Sequence, residues 1–338
     1  MKEIIISSKE AGQRLDKFLK RYLPGAEAGF LYKMLRKKNI TVNDGRADGK
    51  FLLSENDSVK IYFSDETFAK MSESIKTSES VSYGQPAFSD NKDALADASV
   101  FRSRILYGDD NLILFNKPAG LLSQSDAGGS LSACEYLVGF LQNEGKLSDE
   151  DLRLYKPSAV NRLDRNTSGI LICALTYEAA RILSAALKTR SLKKEYLALA
   201  RGRIEEPLLL SGWLSKDSGS NKAEIFQNRQ ENTSYIETGV NPLYYEEETG
   251  GTWVIADLIS GKTHQIRAHL ACIGHPLAGD AKYGDRDWNR RLRLKNQLLH
   301  SFRLTFPEMG GSLENLSGRT FTCPPPDNYT EYGYHGIL

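Results

Sequence analysis

Residues 170–174, Ile-Leu-Ile-Cys-Ala, form an unbroken apolar run directly behind a charged segment, Asn161-Arg162-Leu163-Asp164-Arg165-Asn166-Thr167-Ser168-Gly169. So short a run, entered through a turn-rich segment, reads as a strand buried on both faces. The chain must therefore supply helices or strands to cover both sides of a central strand. The segment at its mouth places one carboxylate between two arginines. An opposite charge favours the ionised form of a carboxyl group. That suits a nucleophile or a base and is wrong for a general acid. On these residues alone a structural ion pair is the favoured reading.

Further strand candidates are 112–115, 196–200, 253–258 and 303–306, and helix candidates are 176–188 and 263–273. Their spacing is too irregular for a repeated βαβ unit. The pattern predicts an α+β fold with a mixed, largely antiparallel central sheet. In the second helix Ile266, Leu270 and Ile273 form the expected apolar stripe, Thr263 the expected N-cap. Arg267 lies close to the N-terminal turn, where a cation gains nothing from the helix dipole. It makes sense there if an anion sits in front of it.

The N-terminal part has a different character. Helix candidates at 14–22 and around Phe30, Leu31, Met34 and Leu35 precede a short alternating strand, Ile40-Thr41-Val42-Asn43, and an Asp44-Gly45 turn. Between Gln13 and Phe63 there are 11 Lys/Arg against 6 Asp/Glu. Lys33, Arg36 and Lys37 share one face of the second helix, as a phosphate-binding surface would require. From 65 to 103 the composition shifts to Ser, Asp, Glu and Ala. The expected organisation is thus a small basic α/β domain (1–64), a flexible acidic linker (65–103) and a main domain (104–338).

Composition narrows the function classes. The 338 residues carry 44 basic and 43 acidic side chains, so net charge is uninformative and local clusters must be read instead. Basic residues interleaved with aromatics, as around Tyr196 and Trp288, suit phosphate contact combined with base stacking. The N-terminus lacks the apolar core of a signal peptide, and no apolar run approaches a membrane span. The four cysteines are scattered, as expected for reduced thiols in a cytoplasmic protein. Ser260-Gly261-Lys262-Thr263 matches the tail of a phosphate-binding loop, but Ala256 stands where that motif needs glycine. His264 and His269 would point apart on a helix, so a shared metal is not expected. No metal, nucleotide cofactor or membrane partner is anticipated, and a monomer is the default.

Several ordered segments together resemble the RluA family of pseudouridine synthases. They are Asn116-Lys117-Pro118-Ala119-Gly120-Leu121, Arg162 to Gly169, Lys194-Glu195-Tyr196-Leu197-Ala198 with Gly202, Gly261-Lys262-Thr263-His264-Gln265-Ile266-Arg267 with His269-Leu270, and Gly274 to Asp280. Leu299-His300 and Leu304 to Pro307 close the series. The basic N-terminal module is similar to an S4 RNA-binding domain, which points to the branch acting on large-subunit ribosomal RNA. The resemblance implies an isomerase with no cofactor and structured RNA as partner. It implies that Asp164 is the catalytic carboxylate, Tyr196 stacks on the target base and Arg267 pairs with Asp164. Leu299 would pack against the site and Arg162 would help displace the target nucleotide. Arg165, His264 and Gln265 would contact substrate, and Lys33, Arg36 and Lys37 the RNA backbone. A transfer-RNA substrate, or a non-catalytic role in ribosome assembly, are the alternatives. One departure stands out: Asn161 replaces the histidine usual in the family.

Overall fold

The computed structural model describes residues 1–72, 98–126, 130–216 and 222–336. The N-terminal module comprises β1 (Lys2–Ile5), α1 (Leu15–Tyr22), α2 (Ala28–Arg36), β2 (Ile40–Val42) and β3 (Ser58–Ile61). Its antiparallel sheet has the order β1-β3-β2. Leu15, Phe18 and Leu19 of α1 and Leu31 and Leu35 of α2 pack on Ile40, Val59 and Ile61 of that sheet. The core of this module also takes in Leu154 from the main domain, and Arg21 Nη1 donates to the Leu154 carbonyl at 3.0 Å.

The expected linker is shorter than 65–103. α3 (Asp65–Ser72) extends the N-terminal module: Phe68 lies edge-on to Tyr22, and Gly25 N–H donates to the Met71 carbonyl at 3.0 Å. α4 (Ala98–Ser103) belongs to the main domain, with Phe101 fully buried and stacked on Phe115 and Phe140. Single aromatic anchors hold both ends, and a Ser- and acid-rich average composition hides them. The remainder of the expected linker lies outside the described residues.

The main domain continues with β4 (Ile105–Gly108), β5 (Leu112–Lys117), α5 (Ala133–Asn143), α6 (Asp149–Leu154), β6 (Ser158–Ala159), β7 (Ser168–Ala174) and α7 (Tyr177–Lys188). Then come β8 (Lys193–Arg201), β9 (Leu208–Lys216), β10 (Ala223–Phe226), β11 (Ser234–Glu246), β12 (Gly251–Leu258), α8 (Gln265–Cys272), α9 (Arg286–Arg291), β13 (Leu299–Thr305) and β14 (Thr320–Thr322). The large sheet runs β10-β9-β11-β12-β8-β13-β7-β5-β4, with β14 on β13 and β6 on β7. Among the described residues, β13 with β7 is its only parallel strand pairing.

β7 is buried on both faces, as its apolar run requires. Leu171 and Cys173 face a core shared with α5 and α8, whereas Ile170 and Ile172 face α7. Gly169, at φ +104°, opens the strand because β13 passes too close for a side chain: a Cβ would stand 2.2 Å from the Ser301 carbonyl oxygen. Two details of α8 differ from expectation. The helix starts at Gln265, not after a Thr263 cap, because His264 adopts a left-handed conformation (φ 58°) that breaks the helix before it. Ile273 follows the last helical residue and is exposed, so only Ile266 and Leu270 of the stripe are core.

Candidate active site

The 161–168 segment is a loop held by its neighbours at several points. Asn161 Oδ1 accepts from Ile172 N–H at 2.7 Å, and its Nδ2 donates to the Ile170 carbonyl at 3.4 Å, so the side chain continues the strand ladder. Ser123 Oγ donates to the Leu163 carbonyl and accepts from its N–H, at 2.9 and 3.0 Å. Lys117 is fully buried, and its Nζ donates to the carbonyls of Pro118, Leu121 and Arg165 at 3.0, 2.7 and 3.1 Å. Burial pulls this ammonium down to about 7, against the upward pull of the Asp164 charge.

Asp164 projects from this loop toward α8. Its Oδ2 accepts from Arg267 Nη1 at 2.8 Å. The rest of the Arg267 guanidinium is taken by Asp280, which accepts from Nε at 2.7 Å and from Nη2 at 2.8 Å. The Asp280 side chain is wholly buried, and its Oδ1 also accepts the Lys282 and Tyr283 N–H groups. Burial alone would lower the Arg267 pKa, but the hydrogen bond and charge of Asp280, joined by those of Asp164, raise it above the ordinary arginine value. Burial would raise Asp280, yet its bond to Arg267 brings it below the usual carboxylate range. Asp280 thus fixes Arg267, and Arg267 presents its one remaining edge to Asp164.

Tyr196, on β8, is buried and lines the site with Asp164 and Arg267, and burial pushes its hydroxyl up to about 12. Leu299 stands at the start of β13, adjacent to β8, and is buried with it. His264 brings Nε2 to 3.9 Å from Asp164 Oδ2, and its Nδ1 bonds the Tyr283 hydroxyl at 3.0 Å. Burial lowers the His264 pKa, opposed by the Asp164 charge. In front of the carboxylate lies a cleft of about 400 Å³ lined by Arg162, Asp164, Lys194, Tyr196, Leu258 and Lys262. A smaller notch beside it adds His264, Arg267 and Leu299.

The structure therefore brings Asp164, Tyr196, Arg267, Leu299, His264 and Arg162 together. Arg162 and Arg165 are exposed, and Arg165 lies 3.9 Å from Asp126. Gln265 differs from its expected role in substrate contact. It is buried, its Nε2 donates to the Glu237 carbonyl and Thr238 Oγ1, and its Oε1 accepts from Ser260 Oγ and Lys262 N–H. It ties α8 to β11 and has no group left for RNA. Trp288 is likewise no stacking platform: it is buried, with Nε1 donating to the Thr249 carbonyl at 2.7 Å. Lys33, Arg36 and Lys37 are exposed on and just beyond α2, remote in sequence from the cleft.

Asp280, Lys117 and Ser123 are structural partners that the sequence did not single out. Asp280 and Lys117 lay within the recognised segments, but nothing in their spacing tied them to Asp164. Among the described residues no group of three or more His, Cys, Asp or Glu is placed to hold a metal. No described helix is long and apolar enough to cross a membrane.

Residues 111–272 match a family profile described as RNA pseudouridylate synthase. The chain is 30% identical over 320 residues to the ribosomal large subunit pseudouridine synthase C of Haemophilus influenzae, spanning 93% of this chain and 90% of that protein. It is also 30% identical, over 327 residues, to the protein of the same name from Escherichia coli, covering 92% and 90% of the two chains. Among solved structures, human RNA pseudouridylate synthase domain containing 4 superposes with a TM-score of 0.55 at 20% identity, over 70% of this chain and 94% of that one. Human RNA pseudouridylate synthase domain containing 1 gives 0.50 at 24% identity, over 69% and 89%. These two likenesses show a shared fold.

Proposed function

The chain belongs to the RluA family of RNA pseudouridine synthases, and from that premise we propose that it isomerises uridines of large-subunit ribosomal RNA with Asp164 as the reacting carboxylate. The observation that carries the assignment of Asp164 is its environment. One carboxylate faces an open cleft, bound from behind by an arginine whose other edge is locked by a second, buried carboxylate. The charge on Asp164 is thereby balanced without closing the side it turns toward the cleft.

The reaction breaks the uridine N1–C1′ bond, turns the base and forms a C5–C1′ bond. N1 gains a proton and C5 loses one, so the atoms balance with no second substrate. A base inside a helix must leave it to be reached, at the loss of a few kcal/mol of stacking. Tyr196 and Leu299 provide an apolar wall against which a flipped uracil packs. Arg162, exposed at the cleft mouth, is placed to occupy the vacated space or hold the displaced backbone. Asp164 is held in position for the reaction by the 2.8 Å hydrogen bond it accepts from Arg267. Lys33, Arg36 and Lys37 supply phosphate contacts away from the chemistry.

The test is direct. The purified chain is incubated with unmodified transcripts of large-subunit ribosomal RNA and of transfer RNA, followed by nucleoside analysis. Pseudouridine in the ribosomal transcript, without free uracil, is the expected result. Pseudouridine only in transfer RNA would move the substrate. Free uracil would replace isomerisation by hydrolysis.

A further inference from the structure

A second and larger recess, about 640 Å³, adjoins the same loop but shares no lining residue with the cleft. Asn166 and Ser168 line it, where Arg162 and Asp164 line the cleft; Leu298 lines it, where Leu299 lines the notch. The catalytic loop is thus a partition with one opening on each side.

The lining of this recess is polar, and many of its groups have no partner among the described residues. Four asparagine carboxamides line it, from Asn116, Asn166, Asn296 and Asn328, beside Gln297, whose Nε2 donates to Thr167 Oγ1 at 3.3 Å. Among the described residues none of the four side chains has a hydrogen-bond partner in the protein. Three cations, Arg104, Arg293 and Lys295, also line it, and among the described residues none is in an ion pair. They face a single carboxylate, Asp327. Prolines 324–326 and Tyr332 give the recess flat apolar surfaces. Its volume falls in the range of small-molecule sites.

This chemistry fits one nucleotide of a polynucleotide. Carboxamides offer a donor and an acceptor side by side, the pattern that pairs with a base edge. Arg and Lys take phosphate oxygens. Unstacked bases of single-stranded RNA are read by such edge contacts and by packing on flat side chains. We infer that the recess is a second RNA subsite, which holds an unstacked nucleotide of the strand whose target uridine enters the cleft. The inference rests on the reading of Asp164 as the centre of an RNA-modifying site. It adds that the RNA straddles the 161–168 loop, one nucleotide on either side.

Two double variants of exposed residues test it, one charged and one neutral: Arg293→Glu with Lys295→Glu, and Asn296→Ala with Asn328→Ala. Pseudouridine formation on the ribosomal transcript is measured against RNA concentration and salt. Both variants should raise KM about tenfold or more, with kcat reduced far less. The charged pair should also flatten the salt dependence of binding by about two, one unit for each phosphate contact. An unchanged KM in either double variant overturns the inference. Competition arms use AMP and UMP at millimolar concentration. Inhibition of the wild type by either, lost in the double variants, would make the recess a free-nucleotide site and overturn the RNA assignment. If the wild type forms no pseudouridine, the reading of the cleft falls and this inference with it. Normal wild-type turnover with unresponsive variants removes the second subsite alone.

Discussion

The site around Asp164 and the basic face of α2 are both proposed to meet RNA, yet they are built in opposite ways. Behind the cleft the charged groups are tethered: Asp280 to Arg267, Arg267 to Asp164, and Lys117 to three carbonyls. On α2, Lys33, Arg36 and Lys37 are exposed, and among the described residues none forms an ion pair. The contrast fits the two proposed tasks. A reacting carboxylate must be held in one geometry, so its supports are buried and fully bonded. Phosphate contacts tolerate displacement, and long solvated side chains adapt to the strand at little cost.

This contrast can be broken first at Arg267. Arg267→Met should lower the rate of pseudouridine formation by about 10³-fold or more, equivalent to about 4 kcal/mol of barrier. It should also destabilise the main domain by about 3–5 kcal/mol, because Asp280 is left as a buried charge without its partner. A variant within tenfold of the wild-type rate would show that the tether is structural only.

Acid should separate the two regions next. His269 and His300 are buried in the main domain, and burial pulls each down to about 4. The N-terminal module has no histidine. Between about pH 6.5 and 4 the unfolded chain takes up protons at these two sites and the folded chain does not. Stability of the main domain is therefore fully present above pH 6.5 and falls as pH drops toward 4, by up to about 1.4 kcal/mol per pH unit for each histidine. Amide exchange followed against pH should show the main domain loosening first. Equal loosening of both regions between pH 6.5 and 5 would contradict this.

On α2 the expected effect is smaller and of another kind. Lys33→Ala with Arg36→Ala and Lys37→Ala should raise KM for ribosomal RNA about tenfold and reduce the salt slope by about three, leaving kcat nearly unchanged. A fall in kcat without a change in KM would place this face in the chemistry. The smallest effect on turnover is expected at Asn161, where the loss is one of stability. Asn161→Ala removes two hydrogen bonds from the base of the loop and should cost about 1–2 kcal/mol in unfolding free energy. Asn161→His should recover part of it.

Pattern alone drew attention to Asp164 and Arg267, while their roles, and those of Tyr196 and Leu299, came from the family resemblance. Asp164 and Arg267 lie at the mouth of an apolar run and in the first turn of a helix, where pattern reading is strongest. β7, β8, β12 and α7 followed from continuous apolar runs or periodicity, and Thr176 caps α7. The arm of β9, β10 and β11 went unread because its strands are only partly covered and mix polar with apolar residues. α5 and α6 were also missed, although Ser132 with Glu135 and Ser148 with Asp151 form capping boxes that mark their starts. Asp280 was out of reach for a different reason. It reaches Arg267 only after the chain leaves α8 and turns back, so no spacing rule links the two. Asn161, the departure from the family pattern, is explained by the fold: its amide substitutes for a backbone group in the β7 ladder.

The central claim is that the tethered Asp164 performs the isomerisation while other residues bind the RNA. The most direct measurement compares Asp164→Asn with the wild type on the same unmodified ribosomal transcript, recording both RNA affinity and pseudouridine yield. The account predicts affinity within about threefold of the wild type, a difference below about 1 kcal/mol, and no detectable pseudouridine. Pseudouridine formed at the wild-type rate by the Asp164→Asn variant would contradict it.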